Sequence, residues 1–170
     1  FFLFLNYMDP HESYAPPSPF DRLHGDIDIS RRVAVQKSWH PLRDRFIREG
    51  AAIEPALMRQ ILNQYDGELA YMDYWFGRLM EGLKTGGVYD DTLIIVLSDH
   101  GEFFGEHGLL NHGVGIYEGG LRIPILVKYP GGRHAGERVE SRVPIIDVFA
   151  TVLDELRLPH PGSQSQPLGA

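Results

Sequence analysis

Apolar positions along the chain follow two patterns. Leu93-Ile94-Ile95-Val96-Leu97 is an unbroken aliphatic run with no polar alternation. That pattern suits a strand covered on both faces, and such strands are usually the parallel ones of an α/β sheet. The opening run from Phe1 to Asn6 predicts a second buried strand, with Asp9-Pro10-His11 at its carboxyl end. Residues 123–129 predict a third, with Pro124 near its start, where no ladder donor is lost. Between residues 54 and 84 the period changes. Ile61, Tyr65, Leu69, Met72, Phe76, Leu79 and Leu83 recur at spacings of three and four, which predicts a helix laying an apolar stripe on the sheet. Gly86-Gly87 ends it, and its place just before the 93–97 strand makes a helix-to-strand crossover.

The remaining segments are less regular. Residues 144–156 predict a last helix, closed by Pro159 and Pro161, and 133–140 a hairpin or edge segment. Residues 14–20 form a proline-punctuated loop, too stiff and donor-poor for a sheet interior. Residues 21–49 mix charge with Trp39-His40-Pro41 and show no sustained period, so they receive no assignment. The polar stretch 162–170 is expected to be loose. The fold class is α/β, with one partial domain over 1–170 and a loose tail over 160–170.

Composition narrows the functional classes. A chain of 170 residues fills about one domain, and 43% hydrophobic content is ordinary for a soluble globular protein. The net charge of −7 argues against broad nucleic-acid binding, leaving Arg31-Arg32 and Arg43, Arg45 and Arg48 as solvated surface. The absence of cysteine excludes a disulfide framework and a thiolate site. No apolar run approaches the roughly 20 residues that span a bilayer. The opening run also lacks the basic segment and small-residue cleavage site of a signal peptide. A start in mid-strand without methionine reads as a fragment whose N-terminal part is missing.

Candidate chemistry gathers around the 93–97 strand. Ligands in α/β sheets collect at the carboxyl ends of strands, and Asp99 and His100 sit there. A sharp backbone turn, for which Gly101 has the freedom, lets the carboxylate and imidazole converge on one metal. An oxygen-plus-nitrogen set suits borderline divalent metals more readily than calcium. Asp-His-Gly is equally an ordinary turn. Glu102, Glu106, His107 and His112 follow on a glycine-rich loop, and folding could bring His11 to them. Taken alone, His11 reads more readily as a hydrogen-bonded structural residue, and Tyr71, Tyr74 and Trp75 read as packing.

The order Ser98-Asp99-His100-Gly101-Glu102, Gly105-Glu106-His107-Gly108, His112-Gly113, Tyr117-Glu118 and Arg122-Ile123-Pro124 resembles the C-terminal portion of the type I sulfatase catalytic domain, in the alkaline phosphatase superfamily. The resemblance runs from Phe1 to about Leu158. It implies an alkaline-phosphatase-like, mostly parallel sheet flanked by helices and a hydrolase of sulfuric esters working by metal-assisted cleavage. It implies Asp99 and His100 as metal ligands, and the Asp-His pair is closer to the phosphonate hydrolase branch. The cofactor implied is a divalent metal ion, calcium or manganese first, with zinc or iron as further candidates. His11 matches a histidine facing the ester, an anion-contacting donor or an acid near the leaving oxygen. His112 falls where many members place an anion-contacting lysine; imidazole there can donate a hydrogen bond or ligate metal. Glu118 and Arg122 are framework residues.

The resemblance is incomplete in one respect. The family's nucleophile arises from a Cys/Ser-x-Pro-x-Arg motif, and Ser18-Pro19-Phe20-Asp21-Arg22 has its proline one place too early. The chain alone is therefore expected to be inactive. The implied partner is a small-molecule or glycan sulfate ester, or a phospho ester, with no nucleic acid and no membrane segment. Two alternatives stand beside this reading: a phosphonate or phosphodiester hydrolase or phospho-group transferase of the same superfamily, and a noncatalytic binding domain that keeps the fold.

Overall fold

The computed structural model describes residues 1–25, 29–159 and 165–168. Eight elements follow in order: α1 (Ile29–Glu49), α2 (Pro55–Thr85), β1 (Ile94–Leu97), β2 (Phe103–Phe104), β3 (Leu110–Asn111), α3 (Glu118–Leu121), β4 (Ile125–Lys128) and α4 (Asp147–Glu155), with short 3-10 turns between some of them. They form two compact units, Phe1–Leu83 with Ser98–Pro124, and Lys84–Leu97 with Ile125–Ala170.

In the first unit, α2 carries the expected helical period. Its buried residues are Ile61, Gln64, Gly67 and Glu68. This face meets the proline-rich loop and α1, where a sheet had been expected. Gln64 donates to the Asp21 carbonyl at 3.0 Å. A Cβ on Gly67 would lie 2.7 Å from the Phe20 carbonyl and 2.8 Å from the Pro16 ring, so the loop packs on the bare helix backbone. The core consists of Tyr14, Trp39, Ile61 and Leu110, with Phe46, Tyr65 and Phe104 among the side chains around it. Tyr14 meets Trp39 and Tyr65 edge to face, at ring separations of 5.5 and 5.4 Å, a favoured aromatic geometry. Helix α1 occupies most of the unassigned region and runs through Pro41, which removes one backbone donor from its interior.

The opening run is not a buried strand. Phe1, Phe2 and Phe4 are 83%, 81% and 78% exposed and no strand is formed there. A strand needs a ladder partner, and among the described residues the only sheets are β1 with β4 and β2 with β3. Tyr71 and Tyr74 each pack on Phe20 and on Trp75, with Tyr74 and Trp75 half exposed.

In the second unit, β1 pairs with β4, but antiparallel, from Ile94 opposite Lys128 to Leu97 opposite Ile125. The chain returns beside β1 in the opposite sense after residues 98–124, so the connection between this pair is no parallel crossover. All four β1 residues are partly exposed. The Lys128 ammonium draws in three carbonyls of the turn before β1, those of Tyr89, Asp90 (2.8 Å) and Thr92 (3.0 Å). Residues 133–136 form turns, and no strand occurs over 133–140. Arg133 leaves this segment to pair with Glu155 of α4. Residues 165–168 are not loose. Gln166 and Leu168 donate backbone N–H groups to the Asp147 carboxylate (2.9 Å) and the Thr151 hydroxyl (2.8 Å), and Tyr129 donates to the Leu168 carbonyl at 2.6 Å. The remainder of the expected tail, 160–164 and 169–170, lies outside the described residues.

Candidate active site

The candidate residues lie in the first unit, on three loops. The first carries His11. Its backbone N–H donates to Glu68 Oε2 at 3.0 Å, and that of Ala15 donates to Glu68 Oε1 at 2.6 Å. One helical carboxylate thus clamps both ends of the loop. Glu68 is 4% exposed. Burial pushes its carboxyl up to about 7, against the opposing pull of the two backbone donors. The His11 ring Nδ1 lies 2.9 Å from the Glu12 carbonyl oxygen.

The second loop follows β3. Asn111 is 1% exposed and left-handed, with φ 75°, a conformation Asn tolerates better than most residues. Its side-chain oxygen accepts the His112 N–H, which fixes where the imidazole leaves the backbone. His112 Nδ1 then lies 3.2 Å from Glu102 Oε2 and 3.7 Å from Glu12 Oε2.

The third loop is 98–102. His100 N–H donates to Asp99 Oδ1 at 3.0 Å, and the same oxygen is 3.7 Å from His100 Nε2. Acid and imidazole therefore share one side of the turn. The Asp99 side chain is 85% exposed. Gly101 serves by close approach, not by the conformational freedom expected of it. Its N–H donates to the Gly120 carbonyl at 2.8 Å, and an added Cβ would fall 2.0 Å from the Gly119 carbonyl oxygen.

Three imidazoles converge. His100 stacks on His112 with ring centres 4.3 Å apart, and His112 meets His11 edge to face at 5.3 Å. His107 is elsewhere, stacked on Tyr117 at 4.0 Å. Glu106 accepts the Phe104 N–H, and Glu118 opens α3, whose last turn ends with Arg122 N–H donating to the Glu118 carbonyl.

Glu12 and Glu68 were missed from the sequence, and Glu102 was noted only as acidic. Glu68 left a signal, since it falls seven residues after Ile61 on the apolar face of α2. Glu12 left none beyond adjacency to His11. Ligand atoms of His11, Glu12 and His112 all lie within 4.8 Å of one another. Glu12 Oε2 is buried and accepts no hydrogen bond among the described residues, while the Glu102 carboxylate has the Tyr14 hydroxyl and the His112 imidazole as partners. A mixed nitrogen and oxygen set with an acceptor left unused is one that a divalent cation fits. Asp99 and His100 are not in that group. Burial, then the Glu102 charge, push the Tyr14 hydroxyl far above its ordinary value, so it remains a neutral phenol beneath the cluster.

The family model described as Sulfatase matches residues 1–157. The chain belongs to the sulfatase family. This sulfatase chain is 32% identical to the multifunctional alkaline phosphatase superfamily protein PehA of Trinickia caryophylli, over 92% of the chain and 34% of that protein. It is 26% identical to an arylsulfatase of Clostridium perfringens, over 96% and 35% respectively. Phosphonate monoester hydrolase SpPMH from Silicibacter pomeroyi superposes with a TM-score of 0.73 at 24% identity, covering 95% of the chain and 35% of the hydrolase. The fold is thus the alkaline-phosphatase-like α/β fold of that superfamily. The sulfatase chain spans about a third of the length of the curated relatives it matches. Among its described residues no helix is long and apolar enough to cross a membrane.

Proposed function

We propose that this chain supplies one side of the active site of a sulfuric ester hydrolase that cleaves its substrate with the help of a divalent metal ion. The observation that carries the reading is the meeting of His11, His100 and His112 around ring contacts of 4.3 and 5.3 Å, with the Asp99 carboxylate 3.7 Å from the His100 ring. Asp99 and His100 are the ligands in this reading. A cation there would neutralise charge on the nonbridging ester oxygens. His11 and His112 face the ester from the other side as hydrogen-bond donors, and His11 is the candidate acid for the leaving oxygen. Glu68 holds the His11 backbone in place, and Asn111 does the same for His112. The substrate is a sulfate ester of a small molecule or a glycan.

A second reading is hydrolysis of a phosphonate or phosphate ester. The Asp99-His100 pair favours it, as does the similarity to a multifunctional superfamily member. Turnover of an aryl sulfate against an aryl phosphonate monoester, in an enzyme that carries this segment together with the nucleophile motif, separates the two. The ligand assignment has its own test on the 170-residue chain. Replacing Asp99 with Ala should lower retained calcium or manganese after dialysis, and unchanged metal content by elemental analysis would refute the assignment. The chain alone lacks Cys/Ser-x-Pro-x-Arg and should be inactive. Aryl sulfate turnover by the purified chain, lost on His100→Ala, would contradict this.

A further inference from the structure

The imidazole of His112 has two nitrogen-bearing edges, and only one of them can be turned to the proposed ester. The torsion that swings an imidazole about its stem is broad and roughly two-fold, so the backbone anchor from Asn111 leaves open which nitrogen faces a ligand. Glu102 decides it. In the β2–β3 ribbon Phe103 stands opposite Asn111 and Phe104 opposite Leu110, and the same register carried one step outward sets Glu102 against His112. Side chains directly opposite in an antiparallel pair are neighbours, and Glu102 Oε2 lies 3.2 Å from His112 Nδ1. Glu12 Oε2, 3.7 Å from the same nitrogen, is beyond hydrogen-bond reach. Both flanks of Glu102 are held. Gly101 N–H donates to the Gly120 carbonyl at 2.8 Å, and Phe103 is fully buried with its ring against Gly119 and Gly120. The other partner of the Glu102 carboxylate is the Tyr14 hydroxyl, on a ring wedged among Trp39, Tyr65 and Phe104.

A carboxylate only accepts hydrogen bonds, so both groups that face Glu102 turn a hydrogen to it, Tyr14 its O–H and His112 its Nδ1–H. The Glu102 side chain is 8% exposed, a costly place for a carboxylate unless such donors meet it. We infer that Glu102, with Tyr14 behind it, is a positioning residue for His112, holding the Nδ1 edge of the ring so that the Nε2 edge is the one presented to the ester. His112 meets an ester only under the proposed function, on which this inference rests. As a donor to the nonbridging oxygens His112 then acts through Nε2 alone. Its aim is set from the aromatic core through a chain of two hydrogen bonds.

The test has two arms. In the purified 170-residue chain, heteronuclear NMR of isotope-labelled histidine should show a slowly exchanging Nδ1–H on His112, assigned by its absence from His112→Gln. Glu102→Leu should lose that signal, and Tyr14→Phe, which keeps the ring and drops the hydroxyl, should exchange it faster. A His112 ring with no hydrogen on Nδ1, or an Nδ1–H as slow to exchange in both variants as in wild type, overturns the inference. In a hydrolase carrying this segment together with the nucleophile motif, Glu102→Leu should lower kcat/KM for its aryl ester by at least about tenfold. Glu102→Gln, which keeps a hydrogen-bonding head of the same shape at Nδ1, should recover most of that loss. A Gln form as impaired as the Leu form overturns the inference, because charge and not aim is then what Glu102 supplies. In a His112→Gln background Glu102→Leu should cost nothing further, whereas damage to the fold or to the Asp99-His100 turn would persist there, and additive losses overturn the inference. Unchanged kcat/KM in His112→Gln refutes the ester contact itself. A kcat/KM lost in His112→Gln and kept in Glu102→Leu overturns the positioning role alone.

Discussion

Glu68→Gln probes the clamp on the His11 loop. The native carboxyl is raised from an ordinary 4.5 to about 7, chiefly by burial. The native state therefore holds the Glu68 proton more tightly than the unfolded chain does. Its contribution to stability is fully present below about pH 4.5 and is lost as pH rises through about 7. A shift of 2.5 units (7 − 4.5) corresponds to about 3 kcal/mol over that window. Gln cannot titrate, and like the protonated acid it has one carbonyl oxygen to offer the N–H groups of His11 and Ala15. The two proteins should thus agree to within about 1 kcal/mol near pH 4.5. Near pH 8 the Gln protein should be more stable by about 3 kcal/mol. Urea unfolding of both proteins at intervals from pH 4 to 8 measures the difference, from which every group common to the two cancels. A difference that stays constant across the range would refute the claim that Glu68 is neutral at the acid end and charged at the other. If Glu68 also sets the position of His11, a hydrolase carrying this segment should lose turnover in the Gln form even where its stability has improved.

Further perturbations test separate contacts. Gly101→Ala drives a Cβ to 2.0 Å from a backbone oxygen that no rotamer can relieve, and should destabilise by about 3 kcal/mol; an unchanged thermal midpoint would mean that the close approach does not constrain the turn. Lys128→Met leaves the Tyr89, Asp90 and Thr92 carbonyls without their ammonium. A loss of about 2 kcal/mol in chemical denaturation is expected, and an equally stable variant would mean that water serves those carbonyls as well. Tyr14→Phe should leave the ultraviolet titration of the native protein at alkaline pH unchanged, because the Tyr14 hydroxyl is held far above its ordinary value. A missing tyrosinate step in the variant would show that Tyr14 ionises in the folded chain.

Periodicity made α2 legible, since an apolar stripe at a spacing of three and four matches one face of a helix and neither face of a strand. The Asp99-His100 turn and the approach of His112 to His11 were legible for a different reason: imidazoles on glycine-rich backbone have little value as packing. Helix α1 was not legible. Its residues show no stripe, and Trp39, 2% exposed, is one large anchor in a charged segment. The 93–97 strand was expected to be covered on both faces and parallel, yet β1 is partly exposed and antiparallel to β4, because an unbroken apolar run fixes neither the direction of a strand nor what covers it. The same limit turned Phe1 to Asn6 into a strand, although among the described residues no ladder partner lies beside it. Glu12 and Glu68 escaped notice because their roles come from contacts with residues far along the chain, Glu68 with His11 and Glu12 with His112.

The placement of the two tryptophans gives the protein a pair of built-in optical reporters. Trp39 lies sealed against Tyr14 at 2% exposure, while Trp75 stands 49% exposed on α2. A small neutral quencher such as acrylamide should silence Trp75 and spare Trp39, leaving one blue-shifted emitter that looks directly at the ring beneath the His11 loop. Ligand-induced tightening of that loop can then be followed in real time by light alone, without a label and without turnover.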